Sequence, residues 1–251
     1  MAEALLEIEG LQKHFGGVVA TDKVCFSIAR GEVHALIGPN GAGKTTLIAQ
    51  ISGSLAPDAG RIVFDRADIT FTPQSARVRA GLARSYQVTS IFRRFSVGDN
   101  IALAVQARSG SSLAFWRPVA LEAALTEEAR RIATEIGLLD RFDVVAGNLA
   151  HGEQRSLEVG LALATSPKLV LLDEPMAGMG PEESQHMIEL VGRIRARVTV
   201  LLVEHDMDAV FRLADRISVL MNGAIIATGT PGEIRANDEV RRAYLGDEVP
   251  A

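Results

Sequence analysis

The sequence predicts an α/β protein: a parallel sheet with helices on both faces, interrupted by an inserted helical lobe. Three observations carry this expectation. Apolar runs of strand length alternate with helical periods from Gly152 onward, a glycine-rich turn near residue 40 joins a strand directly to a helix, and the stretch from about Phe92 to Asn148 has helical periodicity. A chain of 251 residues, 47% apolar and 23% charged, is long enough to bury such a core and reads as one folding unit with two lobes.

Taken in order, Leu5 to Leu11, Val24 to Ile28 and Val33 to Ile37 read as strands, the last running straight into the glycine-rich turn. Lys44 to about Leu55 reads as a helix, and the turn cluster Pro57-Asp-Ala-Gly60 precedes a strand from Arg61 to Phe64. Val97 to Ala107 and Leu121 to Ile136 have helical spacing, separated by the Ser/Gly stretch Arg108 to Ser112. Then follow helix 153–165, strand 169–172, helix 182–197, strand 199–203, helix 206–214 and strand 216–221. Asn222-Gly223 between two apolar runs predicts a hairpin. Thr230-Pro-Gly-Glu233 supplies an N-cap, a proline at the first helical position and a glutamate three residues on, so a short helix starts there.

The formal charge of -5 argues against a surface built for phosphate backbones, and nucleic acid is not an expected partner. The single cysteine, Cys25, cannot form an internal disulfide, which fits a reducing compartment; its expected place is as small core filler. The longest apolar runs, at 169–172 and 198–203, are far too short to span a bilayer. The chain is expected to be soluble by itself, with any membrane role supplied by partner chains.

Gly38-Pro39-Asn40-Gly41-Ala42-Gly43-Lys44-Thr45, followed by Thr46, matches the phosphate-binding loop pattern in its required context of strand before and helix after. Its glycines let successive amides turn inward around phosphates, and the helix N-terminus adds partial positive charge. Lys44 is placed to reach the outer phosphates and the Thr45 hydroxyl to ligate Mg²⁺. Downstream, the apolar strand Leu169-Val-Leu-Leu-Asp173 ends in Asp173 and Glu174, where Asp173 can hold the metal through water and Glu174 can polarise the attacking water. A third strand ends at Glu204 and His205, whose ring can hold the terminal phosphate in line. His14, His34 and His186 have no such setting and read as structural or surface residues.

These motifs alone allow many nucleotide hydrolases. Their full order, over nearly the whole chain, resembles the nucleotide-binding subunit of ATP-binding-cassette transporters. That resemblance implies a P-loop NTPase (RecA-like) core with an inserted α-helical subdomain and an N-terminal antiparallel β-subdomain, in one domain over 1–251. Residues 1–91 and 153–236 would form the catalytic and β lobe, 92–152 the helical lobe and 237–251 a tail. It further implies ATP and Mg²⁺ as ligands. Phe15 matches the adenine-stacking aromatic, and Gln87 the glutamine that joins the lobes and touches the metal and the attacking water. Met176-Ala-Gly-Met-Gly180 occupies the loop between subunits. Leu149-Ala-His-Gly-Glu-Gln-Arg155 occupies the signature, commonest as Leu-Ser-Gly-Gly-Gln, which grips the terminal phosphate of the ATP on the opposite subunit.

The signature is altered: Ala150 replaces serine, His151 the first glycine and Glu153 the glutamine, while Leu149 and Gly152 match. Ala150 removes one hydrogen bond, worth about 1.5–3 kcal/mol when made to a charged group. Glu153 brings a carboxylate near the phosphate, unfavourable unless it points away. Gly180 stands where most members carry aspartate. The expectation is slow or asymmetric hydrolysis.

Within the family the chain is similar to the branched-chain amino-acid uptake group, through Phe15-Gly-Gly-Val-Val-Ala20, Ala177-Gly-Met179, the histidine at 151 and the tail Ala243-Tyr-Leu-Gly246. The tail is shared with lipopolysaccharide-export ATPases; His151 favours import. The resemblance implies transmembrane permease subunits, a second cassette (identical or distinct) and, indirectly, an extracytoplasmic solute-binding protein, at the cytoplasmic face of the inner membrane. Residues 91–97 depart from the group's usual sequence. Phe92, Phe95 and Trp116 are candidates for the docking surface, packing within the lobe being the alternative; Arg93 and Arg94 read as solvated. A non-transport cassette ATPase acting on nucleic acid or ribosomes would usually carry two cassettes or a long coiled coil, and a GTPase an Asn-Lys-x-Asp segment; neither is found.

Overall fold

The structure is a computed structural model that describes residues 3–85, 91–108 and 119–242, with side chains from 123 onward in the last segment. It comprises two compact units, residues 1–77 with 197–251 and residues 78–196.

The first unit holds an antiparallel sheet and a mostly parallel one. β1 (Ala4–Phe15) pairs with β2 (Val18–Ala29) and β4 (Ala59–Phe64), and β5 (Ala67–Asp68) extends β4. β1 and β2 outrun their apolar segments because a two-residue turn at Gly16-Gly17 lets the polar ends pair as well. The strand period explains one departure from expectation. Val24, Phe26 and Ile28 of β2 are buried on one face, so Cys25 lies exposed on the other and is not core filler; its Sγ accepts the Gly10 amide at 3.0 Å.

β3 (Val33–Ile37) lies between β8 (Thr199–Val203) and β9 (Arg216–Met221), parallel to both, and β9 turns at Asn222-Gly223 into antiparallel β10 (Ala224–Gly229). Every residue of β3 and β8 is buried, which is why both read as continuous apolar runs. Helices α7 (Met207–Leu213), α8 (Pro231–Ala236) and α9 (Asp238–Val240) place Val210, Ile234 and Val240 in one cluster with Ala35, Ile37, Ile217 and Val219. His34 is fully buried, with Nδ1 2.6 Å from Glu32 Oε1 and Nε2 2.9 Å from Ser218 Oγ, a structural residue as expected.

α1 (Lys44–Ser52) ends three residues before Leu55 because Gly53 turns left-handed and its amide closes on Gln50 O. The last-turn carbonyls are covered from α2 (Gln74–Ala80), a helix too short for the sequence pattern to reveal. Its Arg77, 1% exposed, donates to the carbonyls of Gln50, Ile51, Thr70 and Thr72.

In the second unit, β6 (Leu82–Arg84) pairs parallel with β7 (Leu169–Asp173). α3 (Val97–Arg108) packs on α4 (Val119–Glu135) and α5 (His151–Ala164), and α5 on α6 (Pro181–Ile194). α6 buries Met187, Leu190, Val191 and Ile194, the spacing of one helical face. Among the described residues no helix is long and apolar enough to cross a membrane.

Candidate functional site

The phosphate loop is shaped by the backbone around it as much as by its own glycines. A Cβ on Gly38 (φ 153°) would lie 2.1 Å from Leu220 O of β9, and one on Gly43 (φ 105°) 2.1 Å from Ala20 O of β2. The β9–β10 turn buttresses the loop from outside: Gly223 N donates to Ala42 O at 2.9 Å, and Asp22 N to Gly223 O at 2.8 Å. Gly43 is the N-cap of α1 and offers no side-chain acceptor, so the first-turn amides, which have no intrahelical partner, lie at the loop. The Lys44 ammonium donates to Gly38 O at 2.6 Å and Pro39 O at 3.0 Å, which stretches it across the loop's concave side. Thr45 is exposed beside it and Thr46 half-buried; Pro39 is half-buried, and Asn40 and Gly41 form the exposed tip.

Two further predicted residues belong to the same unit. Phe15 ends β1, 50% exposed and paired across the hairpin with exposed Val18, rather than being a packed strand end. The Lys13 ammonium sits 5.8 Å from the ring centroid and is anchored by Asp58 at 2.6 Å. His205 follows β8 with its side chain 61% exposed, while Glu204 is buried behind it and accepts the His205 amide at 3.1 Å. Asp206 then caps α7 through the Ala209 amide, so chain direction is fixed on both sides of the histidine.

The acidic strand end lies in the second unit. Asp173 closes β7 in the core, and Arg84 of β6 donates to its Oδ2 at 2.8 Å with both side chains nearly buried. Glu174 is half-buried, and its backbone adopts φ 48°, rare for a residue with a side chain; β7 ends immediately before it. Such strain, of order 1 kcal/mol or more, collects at functional positions. Ala177 N returns to Glu174 O at 3.1 Å and Met179 N to Met176 O at 3.1 Å, folding 176–180 into consecutive tight turns.

The signature segment forms the start of α5, with Leu149 buried and Ala150 as N-cap. His151 is exposed, and Gly152 and Glu153 are half-buried. Glu153 does not stand free: its Oε2 accepts the Ala150 amide at 2.9 Å and its Oε1 pairs with Arg141 at 3.1 Å. The Gly152 amide donates to Glu183 Oε1 of α6 at 3.0 Å, and Glu183 Oε2 accepts the Gly180 amide at 3.2 Å. Those two backbone donors hold the Glu183 carboxyl below its ordinary range.

The docking candidates Phe92 and Phe95 are exposed and stack on each other with centroids 5.5 Å apart, so neither is packed into the lobe. Asn100 fixes their turn, accepting the Phe92 amide at 2.7 Å and donating to Ser96 O at 2.8 Å. Phe92 also borders a shallow groove with Leu103, Ala104, Ala107 and Leu161. Arg93 and Arg94 are exposed. Gln87, Trp116 and the tail 243–246 lie outside the described residues.

Thus Phe15, the loop 38–46 and His205 share one unit, and Asp173, Glu174 and the signature share the other. Arg84 and Glu183 are the residues the sequence reading missed. Arg84 sits on a three-residue strand that no pattern marks, and Glu183 looks like any first-turn helix glutamate. The amides and ammonium around the loop suit a polyphosphate, and the Thr45 hydroxyl and Asp173 carboxylate are hard oxygen donors of the kind Mg²⁺ takes.

The ABC transporter family matches residues 21–177, and the branched-chain amino acid ATP-binding cassette transporter family matches residues 224–250. The chain is 38% identical to the high-affinity branched-chain amino acid transport ATP-binding protein LivG of Salmonella typhimurium, over 98% of this chain and 100% of that one. It is 34% identical to the lipopolysaccharide export system ATP-binding protein LptB of Escherichia coli, over 98% of each. The crystal structure of the ADP conformation of MJ1267, an ATP-binding cassette of an ABC transporter, superposes with TM-score 0.86 at 32% identity, covering 98% of this chain and 100% of that one.

Proposed function

Since the chain belongs to the ABC transporter family as one of its ATPase subunits, we propose that it powers the uptake of branched-chain or related amino acids. What supports the substrate class is 38% identity, over 98% of this chain, to a branched-chain amino acid transport ATP-binding protein, joined by the match of residues 224–250 to the branched-chain amino acid cassette family. The lipopolysaccharide-export relative, at 34% identity, is the second reading.

In this reading the adenine stacks on Phe15, and the amides of 38–46 with Lys44 cradle the phosphates. Thr45, Asp173 and Gln87 would hold Mg²⁺, which would supply charge neutralisation to the phosphates. Glu174 accepts the proton of the attacking water, from a backbone held at a left-handed φ of 48°. His205 and Gln87 hold the terminal phosphate and the water in line. Ala150, His151, Gly152 and Glu153 face the nucleotide of a second cassette, whether an identical chain or a distinct one. The permease subunits dock at Phe92 and Phe95, on the helical lobe 92–152 inserted between the catalytic segments 1–91 and 153–236, with 237–251 as a tail. The subunit works peripherally at the cytoplasmic face of the inner membrane, and the extracytoplasmic solute-binding protein acts on it only through the permease.

The test is reconstitution with the permease subunits and solute-binding protein of the same uptake system. ATP turnover stimulated by binding protein loaded with leucine, isoleucine or valine is the expected result. Stimulation by lipopolysaccharide in place of an amino acid would move the chain to the second reading, and stimulation by neither would refute both.

A further inference from the structure

The N-termini of α5 and α6 converge on one carboxylate. Both helices have N-caps without a side-chain acceptor, Ala150 and Gly180, and both carry glutamate at the third helical position. Each glutamate reaches back to its own cap: Glu153 to the Ala150 amide at 2.9 Å, Glu183 to the Gly180 amide at 3.2 Å. There the symmetry ends. The second oxygen of Glu153 goes to Arg141, whereas that of Glu183 crosses to the other helix and takes the Gly152 amide at 3.0 Å. The approach is close enough that a Cβ on residue 152 would lie 2.9 Å from Glu183 Oε1 and 3.1 Å from Glu183 Cβ.

The Gly152 amide is the second of α5, one of the donors that a serine, threonine or asparagine N-cap would satisfy. Ala150 has no oxygen to offer, and Glu183 supplies one from the neighbouring helix. It is an anion between two positive helix ends, a favourable place for a negative charge. A helix-terminal amide donates one good hydrogen bond, so an incoming phosphate oxygen and the Glu183 carboxylate compete for it and repel each other.

We propose that Glu183 is a positioning residue, the resident anion of the signature, which replaces the absent hydroxyl at position 150 and must be displaced from Gly152 by the terminal phosphate of the second cassette's nucleotide. This rests on the proposed function, which alone brings a phosphate to Gly152. Because the other oxygen of the same carboxylate holds Gly180, a side-chain rotation that frees Gly152 also disturbs the contact at the end of the 176–180 loop. The contact therefore restrains closure before ATP binds and couples the signature to the loop between subunits once it does.

The experiment titrates ATP against the mass in solution of the full chain carrying Glu174→Gln, by size-exclusion chromatography with light scattering. Glu183→Ala and Glu183→Gln are compared in that background, with Glu182→Gln, an exposed neighbour, as the control for lost charge. The expected result is that Glu183→Ala dimerises at about three- to fivefold lower ATP, the scale of one partly exposed charged contact, with Glu183→Gln between it and the parent. A Glu183→Ala protein that needs the same or more ATP, or a Glu182→Gln protein that shifts equally, overturns the proposal while leaving the reading of the site intact. A parent that stays monomeric at every ATP concentration overturns phosphate capture, and displacement of Glu183, between two copies of this chain. Melting temperatures supply the second measurement: Ala150→Ser is expected to recover at least half of the loss caused by Glu183→Ala, and strictly additive effects would refute the exchange of one cap for another.

Discussion

Arg77→Met tests whether the phosphate-loop helix depends on a cap from outside itself. The guanidinium is 1% exposed and makes four hydrogen bonds to carbonyls: Nε to Thr72 (2.8 Å), Nη1 to Gln50 (2.8 Å) and Ile51 (2.7 Å), and Nη2 to Thr70 (2.9 Å). Two of those carbonyls belong to the last turn of α1, where the helix carries partial negative charge. Burial pulls the Arg77 pKa down to about 10, which leaves it charged at neutral pH. Four charge-assisted bonds at about 1.5–3 kcal/mol each give a gross figure of about 6–12 kcal/mol. The cost of desolvating the cation offsets several kcal/mol of that, so a net loss of about 3–5 kcal/mol is expected, as for other broken buried charge networks. In a chain of this size each kcal/mol moves the midpoint by about 2–4 °C, so the melting temperature should fall by roughly 10 °C. Circular dichroism melts of Arg77→Met beside Arg79→Met, an exposed position on the same helix, measure it. A midpoint within about 2 °C of the parent would show that the α1 carbonyls do not need the guanidinium.

Three other outcomes are expected. Gly43→Ala places its methyl against Ala20 O and forces φ 105° on a residue that avoids it; strain of about 1–3 kcal/mol should weaken ATP binding about fivefold or more, measured by calorimetry, and unchanged affinity would refute the steric account of the loop. Glu174→Gln should lower ATP turnover by about 10²–10⁴-fold with ATP binding kept; a smaller loss would move the proton acceptor elsewhere. Glu183 should leave a signature in acid: its carboxyl is lowered from an ordinary 4.5, so its contribution is present above that pH and lost as pH falls through the lowered value. Glu183→Gln should therefore be less stable at pH 7 and have a shallower acid limb in its melting temperature against pH, and parallel curves would contradict the bond to the Gly152 amide.

Local chemistry made the phosphate loop legible, because glycine spacing, the flanking strand and the following helix all lie in one continuous stretch, Val33 to Ser52. The apolar runs of β3, β7 and β8 were equally plain, since strands buried on both faces must be apolar throughout. Asp173, Glu174 and His205 followed from where those runs stop. Even the altered signature could be placed by its order between the loop and the acidic strand.

What only the tertiary structure decided are matters of pairing between distant residues. Nothing in Gly38 or Gly43 announces that Leu220 O and Ala20 O press against them, nor in Asn222-Gly223 that its turn holds Ala42. Cys25 looked like core because its neighbours are apolar, and strand alternation turned it outward. Arg84 and Glu183 are ordinary charged residues until β6 lies beside β7 and α6 beside α5. Glu153 seemed to threaten a bound phosphate until its two oxygens were seen tied to the Ala150 amide and Arg141. The reason is common to all of these. A sequence pattern reports what a residue needs from its immediate neighbours and from water, whereas a buried charge, a capped amide or a close backbone contact is satisfied by whatever partner the fold brings across from elsewhere in the chain.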